Sequence, residues 1–334
     1  MYATPFHTAD ISQRSFLITG GSGFIGSNLV EYLVTHGAGK IRVLDNLATS
    51  QLDSITPFLT GNQVEFLEGD IRNPDDCRKA CEGMDYVLHQ AAMGSVPRSI
   101  KDPITTHAVN STGFVNVLLA ARDAGVKRIV YASSSSVYGD SQALPKREAE
   151  TGNPLSPYAV SKKTNELYAR VFASAYKMEL IGLRYFNVFG PNQSPDGPYA
   201  AVLPLFMHAL LNGISPAIDG DGEQTRDFTF VENAVQANIK ALFTENKEAL
   251  GEVFNVAVGE RISINQLYDI LCGLTGSTQK PIYRGARPGD IRDSLADISK
   301  AQKLLEYAPG VKINEGLERT LKWFRTSAYA AKLN

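Results

Sequence analysis

The sequence TGGSGFIG at residues 19–26 is a glycine-rich turn near the start of the chain. It follows an apolar, β-type run at residues 16–19 and opens a helical pattern at residues 23–36. Glycine at these positions permits a tight turn, a close approach of the backbone to a pyrophosphate group, and close packing of the helix on a sheet. Unpaired N–H groups at the start of such a helix attract phosphate. We therefore expect a dinucleotide cofactor to contact this turn at Gly20, Gly23, Phe24, Ile25 and Gly26.

The strand–turn–helix pattern recurs through the first half of the chain. Further runs that are apolar or β-branched on both faces lie at residues 41–45, 64–68, 86–90, 128–133 and 180–185. Helical patterns at residues 103–124 and 157–176 separate the later runs. Strands with two apolar faces are typical of parallel sheets that helices cover on both sides. The sequence therefore predicts an α/β fold built on a Rossmann-type, doubly wound parallel sheet.

The second half of the chain has a different order of predicted helices and strands. Proline and glycine become frequent from residue 191 onward, and helical patterns mix with short strands without regular alternation. These helices are predicted at residues 201–211, 232–243, 264–272 and 315–324. We predict a dinucleotide-binding domain at residues 14–187 and a smaller mixed α/β substrate lobe at residues 188–330, interleaved at their boundary and sharing one cleft.

The composition is that of a soluble globular protein. Of the 334 residues, 43% are hydrophobic and 20% charged, and the formal net charge is -2, which gives no reason to expect a nucleic-acid or membrane partner. The first 14 residues lack the features of a signal peptide, and no apolar run approaches the roughly 20 residues that span a bilayer. Cys77, Cys81 and Cys272 include no Cys-x-x-Cys pair, so we interpret them as thiols in a reducing cytosol. We expect a cytoplasmic protein without a metal site.

Acidic residues end the second and third predicted strands. Asp45 lies at the end of the second strand, where a carboxylate would accept a hydrogen bond from a ribose 2′-hydroxyl and repel a 2′-phosphate. This position predicts NAD rather than NADP, the alternative being that Asp45 only caps a turn. Asp70 and Ile71 end the third strand and are expected to contact the adenine.

Two later segments carry reactive side chains. The fifth predicted strand ends in ASSSS at residues 132–136, and Tyr158 and Lys162 lie four residues apart just after Pro157. This spacing places the phenol and the ammonium on one helix face. Free tyrosine titrates at about 10, and a nearby ammonium and a positive nicotinamide ring would both favour phenolate. With a serine hydroxyl bridging to the substrate, the pair could take the proton of a secondary alcohol while hydride leaves the same carbon.

Together these segments resemble extended short-chain dehydrogenases/reductases, in particular nucleotide-sugar 4-epimerases, from residue 20 to about residue 323. The resemblance is strongest to the group that prefers UDP-N-acetylglucosamine and UDP-N-acetylgalactosamine. Besides the glycine turn and the serine run, it rests on QAAMGSVPRS at 90–99, YAVSK at 158–162, LRYFNVFG at 183–190, GEQTRDF at 222–228, RPGDIR at 287–292 and SLADISK at 294–300.

The resemblance implies a role for each matching residue. Tyr158 would be the base, Lys162 its electrostatic partner and a ligand of the nicotinamide ribose, and Ser134 the hydrogen-bonding serine. Further contacts with NAD are implied for Asn46, Gln90, Ala91, Ala92, Asn110 and Phe186. Contacts with the UDP-sugar are implied for Gly94, Ser95, Ser135, Ser136, Asn187, Val202, Leu203, Arg226, Arg287 and Asp290, with the arginines on the diphosphate and Asp290 on the uridine ribose.

The implied reaction is reversible C4 epimerisation of UDP-N-acetylglucosamine and UDP-N-acetylgalactosamine through a 4-keto sugar and bound NAD. One alternative is a 4-epimerase of UDP-N-acetylhexosaminuronic acids, since Arg98 could face the C6 carboxylate, and another is UDP-glucose/UDP-galactose epimerisation. Related 4,6-dehydratases and decarboxylases carry acidic residues after the catalytic serine, whereas Ser135 and Ser136 stand here. A non-catalytic redox sensor is disfavoured because both the tyrosine and the lysine are present.

The resemblance carries two further expectations. Ser294 matches a gatekeeper position beside the sugar C2 substituent, where serine leaves room for an N-acetyl group and tyrosine would not. Its alternative role is to cap the next helix. The apolar-striped helices predicted at residues 103–124 and 157–176 are expected to form a four-helix contact in a homodimer.

Overall fold

The computed structural model describes residues 1–196, 200–286 and 292–327. Its strands are β1 (Ser15–Thr19), β2 (Lys40–Asp45), β3 (Val64–Glu68), β4 (Tyr86–His89), β5 (Arg128–Ser134), β6 (Glu179–Tyr185), β7 (Val188–Phe189), β8 (Ala217–Asp219), β9 (Thr225–Arg226), β10 (Thr229–Phe230), β11 (Val253–Val256), β12 (Ile262–Ser263) and β13 (Ile282–Arg284). Its α-helices are α1 (Phe24–Thr35), α2 (Pro74–Cys81), α3 (Val96–Lys101), α4 (Pro103–His107), α5 (Gly113–Asp123), α6 (Pro157–Tyr176), α7 (Val202–Leu211), α8 (Val231–Phe243), α9 (Ile264–Thr275), α10 (Ser299–Leu305) and α11 (Ile313–Thr326).

The main sheet has seven parallel strands in the order β11-β6-β5-β4-β1-β2-β3. Successive side chains of β1 point to opposite faces, so Phe16 and Ile18 enter one hydrophobic core while Leu17 enters the other. The strand order reverses between β1 and β4, and ligands of such sheets bind at the carboxyl ends of the strands at this point. The predicted Rossmann-type fold is confirmed.

The helix predicted at residues 103–124 is interrupted. It consists of α4, a π-helical turn at Ala108–Thr112, and α5. The turn buries Asn110, which donates a hydrogen bond to the Ser161 hydroxyl of α6 at 3.1 Å. A π-helical turn inserts an extra residue into the helix, often at a functional site, and here it brings a polar side chain against the helix that carries Tyr158 and Lys162.

The second half of the chain contributes to the main sheet. Strand β11 extends the sheet beside β6, and α8 packs on the same face as α1. The sequence analysis did not predict β11, because its four residues, one of them the polar Asn255, are too few to show a strand period. The division into units at residues 14–187 and 188–330 stays a prediction.

The first residues of the chain are packed on α1. The Tyr2 side chain is buried, and its hydroxyl donates to the Asn28 amide oxygen at 2.9 Å. Asn28 in turn donates to the carbonyl of Pro191, which joins α1 to the second half of the chain. None of the helices in the described part of the chain is both long and apolar enough to cross a membrane.

Candidate active site

The glycine turn between β1 and α1 has the geometry that phosphate binding requires. Gly20 has φ +68°, and a Cβ atom there would lie 2.7 Å from the Cα of Ala91. A Cβ atom on Gly26 would lie 2.1 Å from the carbonyl oxygen of Gly20. The first turn of α1 has no acidic residue and no side-chain cap, so its N–H groups are available to an anion. The residues therefore fit a dinucleotide pyrophosphate.

A cleft at the carboxyl ends of β1 to β4 continues from this turn. Of the residues predicted to bind NAD, it is lined by Gly20, Gly23, Asp45, Asn46, Asp70, Ile71, Gln90, Ala91 and Ala92. Met93 and Val109 also line it and were not predicted. Phe24 and Ile25 are half-buried and pack against hydrophobic cores next to the turn, so their cofactor contacts stay predictions.

Asp45 caps a turn, which was the alternative to a role in cofactor selection in the sequence analysis. Its carboxylate accepts from the backbone N–H of Ser22 at 3.0 Å and of Leu47 at 2.9 Å. Asp70, beside it, accepts from the Asn46 amide at 2.8 Å and pairs with Arg72, which holds the pKa of Asp70 down at about 2. Both carboxylates line the cleft, and Asp45 also holds the glycine turn in place.

Three predicted NAD contacts have side chains that are engaged elsewhere. The Gln90 amide is hydrogen-bonded to Asn238 at 3.1 Å and to the Tyr185 hydroxyl at 3.1 Å. Asn110 bonds both backbone groups of the Met93 peptide and so shapes the cleft through its neighbour. The Phe186 side chain is fully buried in a hydrophobic cluster. Contacts of Gln90 and Phe186 with NAD would therefore involve their backbone.

The catalytic residues predicted from the sequence converge where β5 meets α6. Lys162 Nζ lies 5.9 Å from the centre of the Tyr158 ring and donates to the Ala132 carbonyl at 2.8 Å. Burial lowers the pKa of Lys162 to about 8, so the ammonium form still predominates at neutral pH. Burial raises the pKa of Tyr158, although a hydrogen bond with Ser134 lowers it. Desolvation is the larger of these two effects, so the burial of Tyr158 opposes the phenolate that the nearby ammonium and a nicotinamide ring are together expected to favour.

The serine-rich turn and the segment after β4 have distinct local roles. Ser134 accepts from the N–H of Ser136 at 3.1 Å, while the buried Ser136 hydroxyl has no partner in the described structure and could serve a sugar hydroxyl. Ser135 lies between them in a short 3-10 helix. Ser95 caps α3, and Gly94 is exposed beside it.

A second cavity, of about 560 Å³, lies between β7 and α7. Among the predicted substrate-binding residues, it is lined by Asn187, Val202, Leu203 and Arg226. The wall also contains Gln193, His208, Asp219, Gln224 and Arg284, which sequence reasoning missed. Arg284 is on β13, a three-residue strand that is too short to produce a recognisable period.

The segment at residues 287–294 is described only in part. Arg287 and Asp290 lie outside the described residues. Ser294 is buried, and its N–H donates to the carbonyl of Thr225 at 3.1 Å, one residue from Arg226 in the cavity wall. Its alternative role as a helix cap is wrong, because α10 begins at Ser299 with Ile298 as its cap.

Comparisons with known proteins agree with this geometry. A model of the NAD dependent epimerase/dehydratase family matches residues 16–257. The UDP-glucose 4-epimerase of Mycolicibacterium smegmatis is 36% identical over 314 residues, covering 93% of this chain and 99% of that protein. The structure of UDP-N-acetylglucosamine 4-epimerase from Methanobrevibacter ruminantium, in complex with UDP-N-acetylmuramic acid, has a TM-score of 0.89 and 37% identity over 94% of this chain and 99% of its own. UDP-glucuronic acid 4-epimerase from Bacillus cereus, in complex with UDP-glucuronic acid and NAD, has a TM-score of 0.87 and 31% identity over 93% and 99%.

Proposed function

Because this chain belongs to the NAD dependent epimerase/dehydratase family, we propose that it interconverts UDP-N-acetylglucosamine and UDP-N-acetylgalactosamine by epimerisation at C4. The coarser function, NAD-dependent 4-epimerisation of a nucleotide sugar, agrees with the similar proteins, which are 4-epimerases of UDP-sugars. The observation that carries the proposal is the convergence of Ser134, Tyr158 and Lys162 at the end of β5, beside the dinucleotide cleft.

The residues of this chain supply binding and proton transfer. Tyr158 takes the proton of the sugar 4-hydroxyl and returns it, with Ser134 hydrogen-bonded between the phenol and the sugar oxygen. Lys162 supplies the positive charge that favours phenolate during this step. The glycine turn and the cleft beside Asp45 would hold NAD, which when bound would supply reversible hydride transfer at C4 of the sugar. Arg226 and Arg284 in the wall of the second cavity offer donors for the diphosphate, so the nucleotide can stay anchored while the sugar turns.

Support for an N-acetylated sugar comes from two observations. The Methanobrevibacter protein, a UDP-N-acetylglucosamine 4-epimerase, is similar over nearly the whole chain. Ser294 is a small residue whose N–H bonds to the carbonyl of Thr225, the residue before Arg226 in the cavity wall, and the resemblance places position 294 beside the sugar C2 substituent. The uronate alternative is favoured by Arg98, whose guanidinium lies 2.9 Å from the sulfur of Met93 in the wall of the dinucleotide cleft.

A substrate panel tests the proposal. Purified protein is incubated separately with UDP-N-acetylglucosamine, its uronic acid, and UDP-glucose, and the 4-epimers are quantified. We expect the N-acetylhexosamine to have the highest kcat/KM. A higher value for the uronic acid would transfer the assignment to that substrate, and no turnover of any of the three would reject nucleotide-sugar epimerisation.

A further inference from the structure

A buried pair of opposite charges lies directly behind the catalytic groups. The Arg184 guanidinium of β6 donates to both carboxylate oxygens of Glu166 on α6, from Nε at 2.8 Å and from Nη2 at 2.9 Å. The two side chains are only 2% and 7% exposed. Lys163 reaches the same carboxylate at 3.8 Å from the solvent side. A bidentate pair of this kind fixes both the distance and the angle between the elements that carry it.

Glu166 connects the pair to the catalytic residues through α6 and β5. It follows Lys162 by four residues and Tyr158 by eight, which places all three on one side of the helix. Its Oε1 atom also accepts the hydroxyl of Ser133 at 2.6 Å, and Ser133 immediately precedes Ser134. One carboxylate therefore holds the helix of the base and the strand of the catalytic serine together.

Arg184 connects the pair to the rest of the site. It donates to the Tyr138 hydroxyl at 3.0 Å, at the end of the serine-rich turn, and to the Glu148 carbonyl at 3.0 Å. Tyr138 donates onward to the Asn255 amide oxygen on β11 at 2.6 Å. The network therefore joins β5, β6, β11, α6 and the serine-rich turn, which include every segment that carries a catalytic side chain.

Stability alone does not account for such a pair. The cost of desolvating two buried charges offsets most of their attraction, and apolar side chains of similar volume fill such a space at least as well. Apolar packing, however, does not fix the position of a reacting side chain to within a fraction of an ångström. Misplacement of a reacting group by about 1 Å can reduce the rate on the order of 100-fold.

We propose that Glu166 and Arg184 are positioning residues that hold Tyr158 and Ser134 in the geometry for proton transfer. This inference rests on the proposed epimerase function and adds the residues that make its catalytic geometry rigid. We place neither side chain in contact with the sugar or the cofactor. Glu166 acts through Ser133 and the axis of α6, and Arg184 acts through Tyr138.

The chain offers a matched control. Arg128 of β5 and Glu179 of β6 form another Arg–Glu pair, at 2.8 Å, but at the amino ends of these two strands. Six residues of extended strand separate Arg128 from Ser134, a distance of about 20 Å. Glu179 is 41% exposed, and Arg128 also binds the last carbonyls of α8. Replacing Glu179 therefore removes an Arg–Glu pair that lies far from the catalytic side chains.

The first experiment compares Glu166→Gln with Glu179→Gln. In Glu166→Gln we expect kcat to fall about 10- to 100-fold, with KM within about threefold of wild type and the bound NAD unchanged. Because the Ser134 hydrogen bond lowers the pKa of Tyr158, loosening it should also move the acidic limb of the kcat/KM profile to higher pH. Glu179→Gln should match the wild type in every measurement. A kcat for Glu166→Gln within twofold of wild type, or an equal loss in Glu179→Gln, would overturn the proposal.

A second variant separates positioning from folding. Glu166→Gln leaves Arg184 buried without its full partner and can fail to fold, so both residues are replaced together, Glu166→Leu with Arg184→Met. We expect this protein to melt at or above the wild-type temperature and to retain NAD, yet to lose kcat at least tenfold. Wild-type kcat in the double variant, or its failure to fold, would show that the pair does not serve catalysis. Absence of epimerase activity in the wild type itself would instead reject the proposed function.

Discussion

Individual residues in this site occupy environments that oppose their ionised forms. Lys162 is an almost fully buried lysine whose ammonium has one hydrogen bond in the described structure, to Ala132, and burial lowers its pKa to about 8. Tyr158 is held as a phenol by the same desolvation. Lys162 is still mainly an ammonium at neutral pH, whereas Tyr158 depends on the charge of the bound cofactor for its catalytic state, since a positive nicotinamide ring favours phenolate.

Removal of the Tyr158 hydroxyl should reduce chemistry without affecting the fold. In Tyr158→Phe we expect kcat to fall by about 10²- to 10⁴-fold, the range that general base catalysis contributes, with the bound NAD nearly unchanged. Tyr168→Phe, ten residues further along α6 at an exposed position, is the matched control and should leave kcat unchanged. Retention of a tenth or more of wild-type kcat by Tyr158→Phe would exclude this residue as the base.

The size of residue 294 should determine which sugars turn over. Overfilling a packed site costs about 1–3 kcal/mol, which corresponds to roughly a 10- to 100-fold loss of rate. We expect Ser294→Tyr to lose that factor on UDP-N-acetylglucosamine and to retain turnover of UDP-glucose. Ser294→Ala, which preserves the space, should keep both activities. Equal losses on the two substrates in the tyrosine variant would identify Ser294 as a structural residue.

At the scale of secondary-structure elements, the buried carboxylate of Asp227 joins three loops in the second half of the chain. Asp227, between β9 and β10, is fully buried and accepts three backbone N–H groups, from Val258 at 3.0 Å, Gly259 at 3.1 Å and Ala296 at 3.2 Å. These bonds place the segment after Ser294 beside the strand that carries Arg226. Burial raises the pKa of Asp227 to about 6 despite them, and the Glu260 carboxylate adds to the shift.

The raised pKa of Asp227 gives a defined pH dependence of stability. Between about pH 4 and pH 6 the folded protein retains a proton that the unfolded chain has released, so the contribution of this group to the unfolding free energy falls as pH rises through that window. In Asp227→Asn this contribution is absent. The difference in unfolding free energy between wild type and Asp227→Asn is measured by urea unfolding at intervals from pH 4.5 to 7.5. The advantage of the wild type should be greatest at the acidic end of this range and constant above about pH 7.

Asp140→Asn is the control for that measurement. Hydrogen bonds from Asn153 lower the pKa of Asp140, so the contribution of this group is lost only as pH falls below about 4, and the stability of wild type relative to this variant should be nearly constant from pH 4.5 to 7.5. A relative stability of Asp227→Asn that stays constant with pH, as in the control, would show that Asp227 is ionised throughout the range.

At the scale of the whole molecule, exposed apolar side chains lie on the neighbouring helices α4 and α6. Val160, Leu167 and Val171 on α6 are each more than half exposed, as is Ile104 on α4. A monomer rarely leaves a contiguous apolar surface of this kind in water. This surface agrees with the homodimer inferred from the resemblance, which stays a prediction.

A charge on this surface should separate the subunits. Light scattering at micromolar concentration should give the wild type twice the mass of the chain, and Leu167→Glu should reduce it to the mass of one chain, because a buried carboxylate would lack a partner. Ile282→Glu, at a similarly exposed residue on β13 away from this surface, should leave the dimer intact. A wild type that is monomeric at this concentration would exclude the four-helix contact.

The fold and the convergence of the candidate catalytic residues were predictable because their signals are local. The glycine turn, the continuous apolar strands and the Tyr158–Lys162 spacing each occupy a few consecutive residues, and the order of these segments along a βα ladder brings their ends to one edge of the sheet. The structure agrees with that convergence at Ser134, Tyr158 and Lys162. It also has the predicted parallel sheet, within a residue or two at the strand ends.

Tertiary structure alone decided how the two halves combine. The position of β11, the π-helical turn around Asn110, the contribution of Arg284 to the second cavity, and the Glu166–Arg184 pair all depend on contacts between residues far apart in the chain. The same holds for the pKa of Tyr158, which depends on how much of the phenol is buried once α6 is packed against β5. Sequence spacing places a lysine beside a tyrosine, but desolvation is a property of the assembled molecule, because it is set by every neighbour that replaces water.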